Sequence, residues 1–82
     1  MPTPATPLST ATKAFGQRVR TRRTELQLSQ EALATAAGLH WTFVGQVERG
    51  RRNLTLHNIL KLAAALRLDP SELVRGLKPP KD

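Results

Sequence analysis

The sequence predicts an all-α protein, five short helices folded as one small domain. Three observations carry that expectation. Apolar residues recur at the three-and-four spacing of a helix face, no stretch alternates apolar and polar residues as a half-buried strand would, and each helical run is bounded by a capping residue or a glycine. At 82 residues, 39% of them hydrophobic, the chain supports one modest core and no second domain.

The first helix is expected from about Ala11 to Leu26. Ala11, Phe15, Val19 and Leu26 fall near helical spacing, and Arg18, Arg20, Arg22 and Arg23 crowd the remaining surface. Ser29 is a suitable N-cap for a second helix over Gln30 to Ala37, with Glu31 complementing the dipole in its first turn. Gly38 stops that helix, because glycine accepts a left-handed backbone without steric cost. A third helix runs from about Trp41 to Arg49 and stops at Gly50. Thr55 caps a fourth, Leu56 to Leu66, whose apolar face comprises Ile59, Leu60, Leu62, Ala63 and Leu66. Asp69-Pro70-Ser71-Glu72 reads as a capping box with proline at the first helical position, opening a short fifth helix that ends near Gly76. The domain therefore spans residues 11–77. Residues 1–10, with prolines at 2, 4 and 7, are expected to form a disordered arm, and residues 78–82 a flexible tail.

Composition narrows the function classes. There is no cysteine and there are two histidines, so no thiolate metal site exists and a histidine site has little to draw on; no metal and no cofactor are expected. No apolar run approaches the roughly 18 residues of a membrane span, and the first residues lack the layout of a secretory signal; the expected location is the cytoplasm. Thirteen Lys and Arg against six Asp and Glu leave a formal net charge of +7. A domain this basic attracts nucleic acid, acidic lipid headgroups or an acidic protein, and charge alone does not choose among them. His40 and His57 lack the carboxylate or thiol neighbours of a catalytic site, and Ser29 and Ser71 read as caps. No acid, base, nucleophile and anion-hole set assembles, so an enzyme is not expected, nor is a small-molecule ligand.

The informative constellation is the pair of short helices joined through Gly38. A helix-turn-helix needs a small residue where its second helix crosses the first, and Ala34 is one. It needs a residue tolerant of positive φ in the turn, which is Gly38, and branched apolar residues to hold the second helix down, which are Val44 and Val47. At about 100° per residue from Trp41, Phe43, Val44 and Val47 point between about 200° and 300°. Trp41, Thr42, Gly45, Gln46 and Arg49 point between 0° and about 140°. One side is apolar and the other is what a DNA major groove would meet. Gly45, unfavourable for helix propensity, either permits close backbone approach to DNA or relieves crowding between helices.

The runs Leu28-Ser29-Gln30-Glu31-Ala32-Leu33-Ala34, Ala37-Gly38-Leu39 and Val47-Glu48-Arg49-Gly50 resemble the phage repressor and Cro type of helix-turn-helix regulator, across about Phe15 to Leu77. Thr42-Phe43-Val44-Gly45, with Glu48-Arg49-Gly50-Arg51-Arg52-Asn53-Leu54-Thr55, is especially similar to the controller proteins of restriction-modification systems. The resemblance implies a repressor-like domain in which Trp41, Thr42 and Gln46 touch base edges. It implies phosphate contacts from Gln30, which also braces the recognition helix, and from Arg49, Arg51, Arg52 and Asn53. It further implies a structural ion pair between Arg23 and Glu48. Trp41 departs from the Arg, Gln or Ser of many relatives: it either covers a thymine methyl or the sugar-phosphate, or packs against the arginines of the first helix.

The function expected is sequence-specific transcriptional regulation by a homodimer on a palindromic operator in double-stranded DNA, since one recognition helix buries too little surface for tight binding. Ile59, Leu62, Leu66, Leu68, Leu73, Val74 and Leu77 exceed what a small core needs and are the expected dimer contacts. Within this class a restriction-modification controller comes first and a phage-type repressor second. An antitoxin-type protein-interaction module that also binds DNA shares the fold, and a charge-driven non-specific binder shares the composition. Equal weakening by salt on all DNA sequences would mark the latter.

Overall fold

A computed structural model describes residues 6–81. It contains five helices: α1 Thr10–Glu25, α2 Gln30–Ala37, α3 Trp41–Glu48, α4 Leu56–Ala65 and α5 Ser71–Val74. The long α1 lies across α3 and α5, and α2 packs on both α3 and α4. The core between them comprises Phe15 and Val19 of α1, Leu33, Ala34 and Ala37 of α2, Val44 and Val47 of α3, Leu62 and Ala63 of α4, then Leu66 and Leu73. None of the described helices is long and apolar enough to cross a membrane.

Each helix starts on a side chain that accepts an otherwise unpaired N–H. Ser29 accepts from Ala32 at 3.0 Å, the His40 ring from Thr42 at 3.2 Å and Thr55 from Asn58 at 3.2 Å. Asp69 accepts the backbone N–H of Ser71 at 2.9 Å and also the Ser71 hydroxyl. The capping box expected over 69–72 is thus replaced by a tighter turn: Asp69 serves Ser71, the helix begins at Ser71, and no return bond from the Glu72 side chain closes a box. The carboxylate is held below its ordinary pKa, first by the Ser71 hydroxyl and then by the Ser71 N–H.

Four helices end alike. The N–H of the left-handed residue bonds three residues back and the next N–H bonds five back, closing the end of the helix. After α2 these are Gly38 to Thr35 (3.2 Å) and Leu39 to Ala34 (2.9 Å); after α3, Gly50 to Val47 and Arg51 to Gln46, both 2.9 Å. α1 and α4 make the same closure through Gln27 (φ 59°) and Arg67 (φ 57°), which lack glycine's freedom.

Two expectations are corrected. The disorder expected over 1–10 does not extend to residues 8–10. Ser9 caps α1 in a reciprocal box with Thr12, and the Leu8 N–H bonds Gly50 O at 2.8 Å; residues 1–5, and residue 82 of the expected tail, lie outside the described residues. The surplus apolar surface of the last two helices is also smaller than the sequence suggests. Leu62, Leu66 and Leu73 are each 0% exposed: they fill the core of their own chain and are not available to a partner. Ile59, Leu68 and Leu77 are half-buried and Val74 is exposed. Leu60, expected inside, faces out, because the core meets α4 along the Leu62–Ala63–Leu66 stripe.

Candidate nucleic-acid interface

α2 and α3 meet at the angle that Gly38 permits. At φ 70° and ψ 34° its backbone is left-handed, a conformation costing other residues about 1–2 kcal/mol, and the chain turns there directly into α3. Val44 and Val47 anchor α3 inward and are essentially unexposed. That leaves Trp41 (53% exposed) and Thr42 outside, with Gln46 half-exposed one turn later. Trp41 stacks on the His40 ring at 6.0 Å between centroids rather than packing on the α1 arginines.

The C-terminal end of α3 is clamped by side chains of α1 and α2. Arg23 Nε donates to Glu48 Oε2 at 2.6 Å and its Nη2 to Oε1 at 3.0 Å, while Nη1 bonds the Leu28 carbonyl at 2.8 Å. Gln30 Nε2 adds a bond to Glu48 Oε1 at 3.1 Å. The pair is nearly buried, with side-chain exposures of 12% and 3%, and the Glu48 hydrogen bond holds Arg23 above its ordinary pKa against the opposing effect of burial. Glu48 is the single acidic residue between Gly38 and Leu68, and Arg23 neutralises it. The exposed side of α3 and the following loop therefore present only positive formal charge, and no acidic residue in the first turn offsets the dipole of α3.

The remaining basic residues divide. Arg49 is exposed, its guanidinium lying with Gln30 Oε1 over Gly45. Gly45 is thus buried under polar side chains and not at a helix crossing. Arg52 Nε bonds Gln46 Oε1 at 2.6 Å, and its guanidinium carbon sits 5.4 Å from the Phe43 ring centroid. Arg51 is half-buried and bonds the Thr6 carbonyl; Asn53 is exposed.

Two arginines expected on the open surface of α1, and a glycine that sequence reasoning passed over, hold the helices around this surface. Arg18 donates to the carbonyls of Leu73 (3.2 Å) and Arg75 (2.8 Å), and Arg22 to that of Leu66 (2.9 Å), so these half-buried arginines close the ends of α5 and α4. The glycine is Gly16. A Cβ there would stand 2.2 Å from the Val47 carbonyl oxygen and 2.8 Å from that of Glu48, so α1 and α3 cross backbone to backbone. A glycine inside a helical run is its signal.

Comparison with known proteins agrees with this geometry. The family described as helix-turn-helix matches residues 19–73. The control protein C.BamHI of Bacillus amyloliquefaciens is 44% identical over 61 residues, covering 73% of this chain and 75% of that protein. Among solved structures, the restriction-modification controller protein C.AhdI from Aeromonas hydrophila superposes with a TM-score of 0.74 at 56% identity, over 76% of this chain and 94% of that one. The P22 c2 repressor, of a Salmonella phage, in complex with a synthetic operator, superposes with a TM-score of 0.71 at 34% identity, over 76% and 94%. These relatives are control proteins and a repressor, not enzymes.

Proposed function

The chain belongs to the helix-turn-helix family of transcriptional regulators, and from that premise we propose that it is the control protein of a restriction-modification system, binding a palindromic operator as a homodimer. The observation that carries the reading is the unobstructed outer side of α3, where Trp41, Thr42 and Gln46 stand clear of the core above a loop rich in arginine. In this reading those three side chains meet base edges. Arg49, Arg52 and Asn53 meet phosphates, together with Gln30 and Arg51, whose present partners leave donors free. Higher identity to the control proteins than to the phage repressor favours the first over the second. Such a regulator works in the cytoplasm, where its DNA is.

Dimerisation is proposed through Ile59, Leu68, Val74 and Leu77, joined by the exposed Leu60. Two α3 helices set about 34 Å apart would read two half-sites on one face of the duplex. Footprinting of the purified protein on the DNA upstream of its own gene tests the proposal. Two symmetric protected half-sites are expected; a single unsymmetric footprint, or sedimentation as a monomer at high micromolar concentration, would overturn the dimer.

A further inference from the structure

The outward side chains of α3 have their hydrogen-bonding sense assigned before any duplex arrives. At Thr42 the deduction turns on His40. The Thr42 backbone N–H donates to His40 Nδ1 at 3.2 Å, and Thr42 Oγ1 lies 2.7 Å from the same nitrogen. An amide N–H only donates, so Nδ1 carries a lone pair and the ring proton sits on Nε2. A hydroxyl that close to a lone pair is attracted only if it gives its own hydrogen. The Thr42 hydrogen is therefore committed to His40, and the lone pairs of Oγ1 remain. Thr42 is an acceptor.

Gln46 has the opposite sense. Arg52 Nε donates to Gln46 Oε1 at 2.6 Å, and a guanidinium has no lone pair to offer, so the amide cannot sit the other way round. Arg52 is itself steadied over the Phe43 ring. A charge-assisted bond on the carbonyl leaves the amino group as the free end of the amide. Gln46 is a donor. An unconstrained glutamine reads adenine with both ends of its amide, giving to N7 and taking from the N6 amino group; here Arg52 takes one of the two lone pairs of the carbonyl oxygen, and the amino group is the end left wholly free.

We infer that α3 reads an amino-bearing base edge (adenine N6 or cytosine N4) through Thr42 and an acceptor on a base edge (guanine O6 or N7, adenine N7, or thymine O4) through Gln46, with His40 and Arg52 as the positioning residues that impose this. The inference rests on the reading of α3 as the base-contacting helix.

Every base pair carries one amino and one keto group in the major groove, so the test must delete single groups. Duplexes are selected from a randomised pool with the full chain, and the positions read by each residue are located as those where Thr42→Ala or Gln46→Ala loses preference. At the Thr42 position, replacing adenine by purine or cytosine by 2-pyrimidinone removes the amino group. Wild type is expected to lose affinity about tenfold and Thr42→Ala none. At the Gln46 position, replacing guanine by 2-aminopurine or thymine by 5-methyl-2-pyrimidinone removes the keto oxygen, and a 7-deazapurine removes N7; one of these deletions is expected to cost wild type about tenfold and Gln46→Ala nothing. Arg52→Ala, by freeing the carbonyl oxygen, is expected to make affinity sensitive to deletion of the base amino group at that position, to which wild type is indifferent. His40→Asn, which keeps an acceptor at the cap, retains the Thr42 preference, whereas His40→Ala loses it. Nitrogen NMR of His40 is expected to place the ring proton on Nε2. A proton on Nδ1, or enriched duplexes indifferent to the amino, keto and N7 deletions, overturns this inference alone. A pool from which nothing is enriched overturns the DNA-binding reading and the inference with it.

Discussion

Arg23 and Glu48 lie 25 positions apart in sequence and form a two-pronged, nearly buried ion pair that ties the end of α1 to the end of α3. The third prong of the guanidinium holds the Leu28 carbonyl, and Gln30 occupies the same carboxylate. The angle at which α3 is presented is thus locked at one carboxylate by residues of α1 and α2.

Removing one partner strands the other. Glu48→Ala is expected to destabilise the fold by about 3–5 kcal/mol, since an unpaired buried charge costs that much, measured by urea unfolding. Arg23→Lys, conservative in charge, should still lose a large part of this because an ammonium cannot reproduce the fork. An Arg23→Lys protein as stable as wild type would contradict the clamp.

Two glycines should respond in opposite directions to the same change. Gly16→Ala places a methyl 2.2 Å from a carbonyl oxygen of α3, and overpacking against backbone is expected to cost about 1–3 kcal/mol. Gly45→Ala meets only the ends of the Arg49 and Gln30 side chains, at 3.4 Å and beyond. It should gain up to about 1 kcal/mol from helix propensity. Parallel chemical denaturation of the two variants checks the pair.

Gln27 and Arg67 end helices in the left-handed region at φ 59° and 57°. Gln27→Gly and Arg67→Gly are each expected to relieve backbone cost and to raise the melting temperature, with a gain of about 1 kcal/mol at most. Gly38→Ala, at φ 70°, should lower it.

Asp69 gives the fold an acid limit. Its folded pKa is depressed by the Ser71 hydroxyl and N–H, so its contribution is present above the unfolded value and is lost as pH falls through the folded one. Between pH 5 and pH 2, wild type should lose more thermal stability than Asp69→Asn. Equal losses would mean that the Ser71 contacts do not select the ionised form.

The sequence by itself determines what depends on near neighbours. Ser29, Thr55, Gly38 and Gly50 mark helix ends because a cap or a left-handed turn is settled within about five residues, and the alternation of Val44 and Val47 with Thr42 and Gln46 assigns the two sides of α3. Ser9 escapes notice because its box closes on Thr12 in place of the usual Glu or Gln, and Gln27 and Arg67 because neither residue type signals a left-handed backbone. Only the tertiary structure decides which of the apolar residues from Ile59 to Leu77 fill the core and which face outward. It alone shows that Arg18 and Arg22 bond carbonyls of the last two helices and that Gly16 admits the α3 backbone. Those outcomes rest on atoms brought together from distant parts of the chain, so the local pattern of residues carries no record of them.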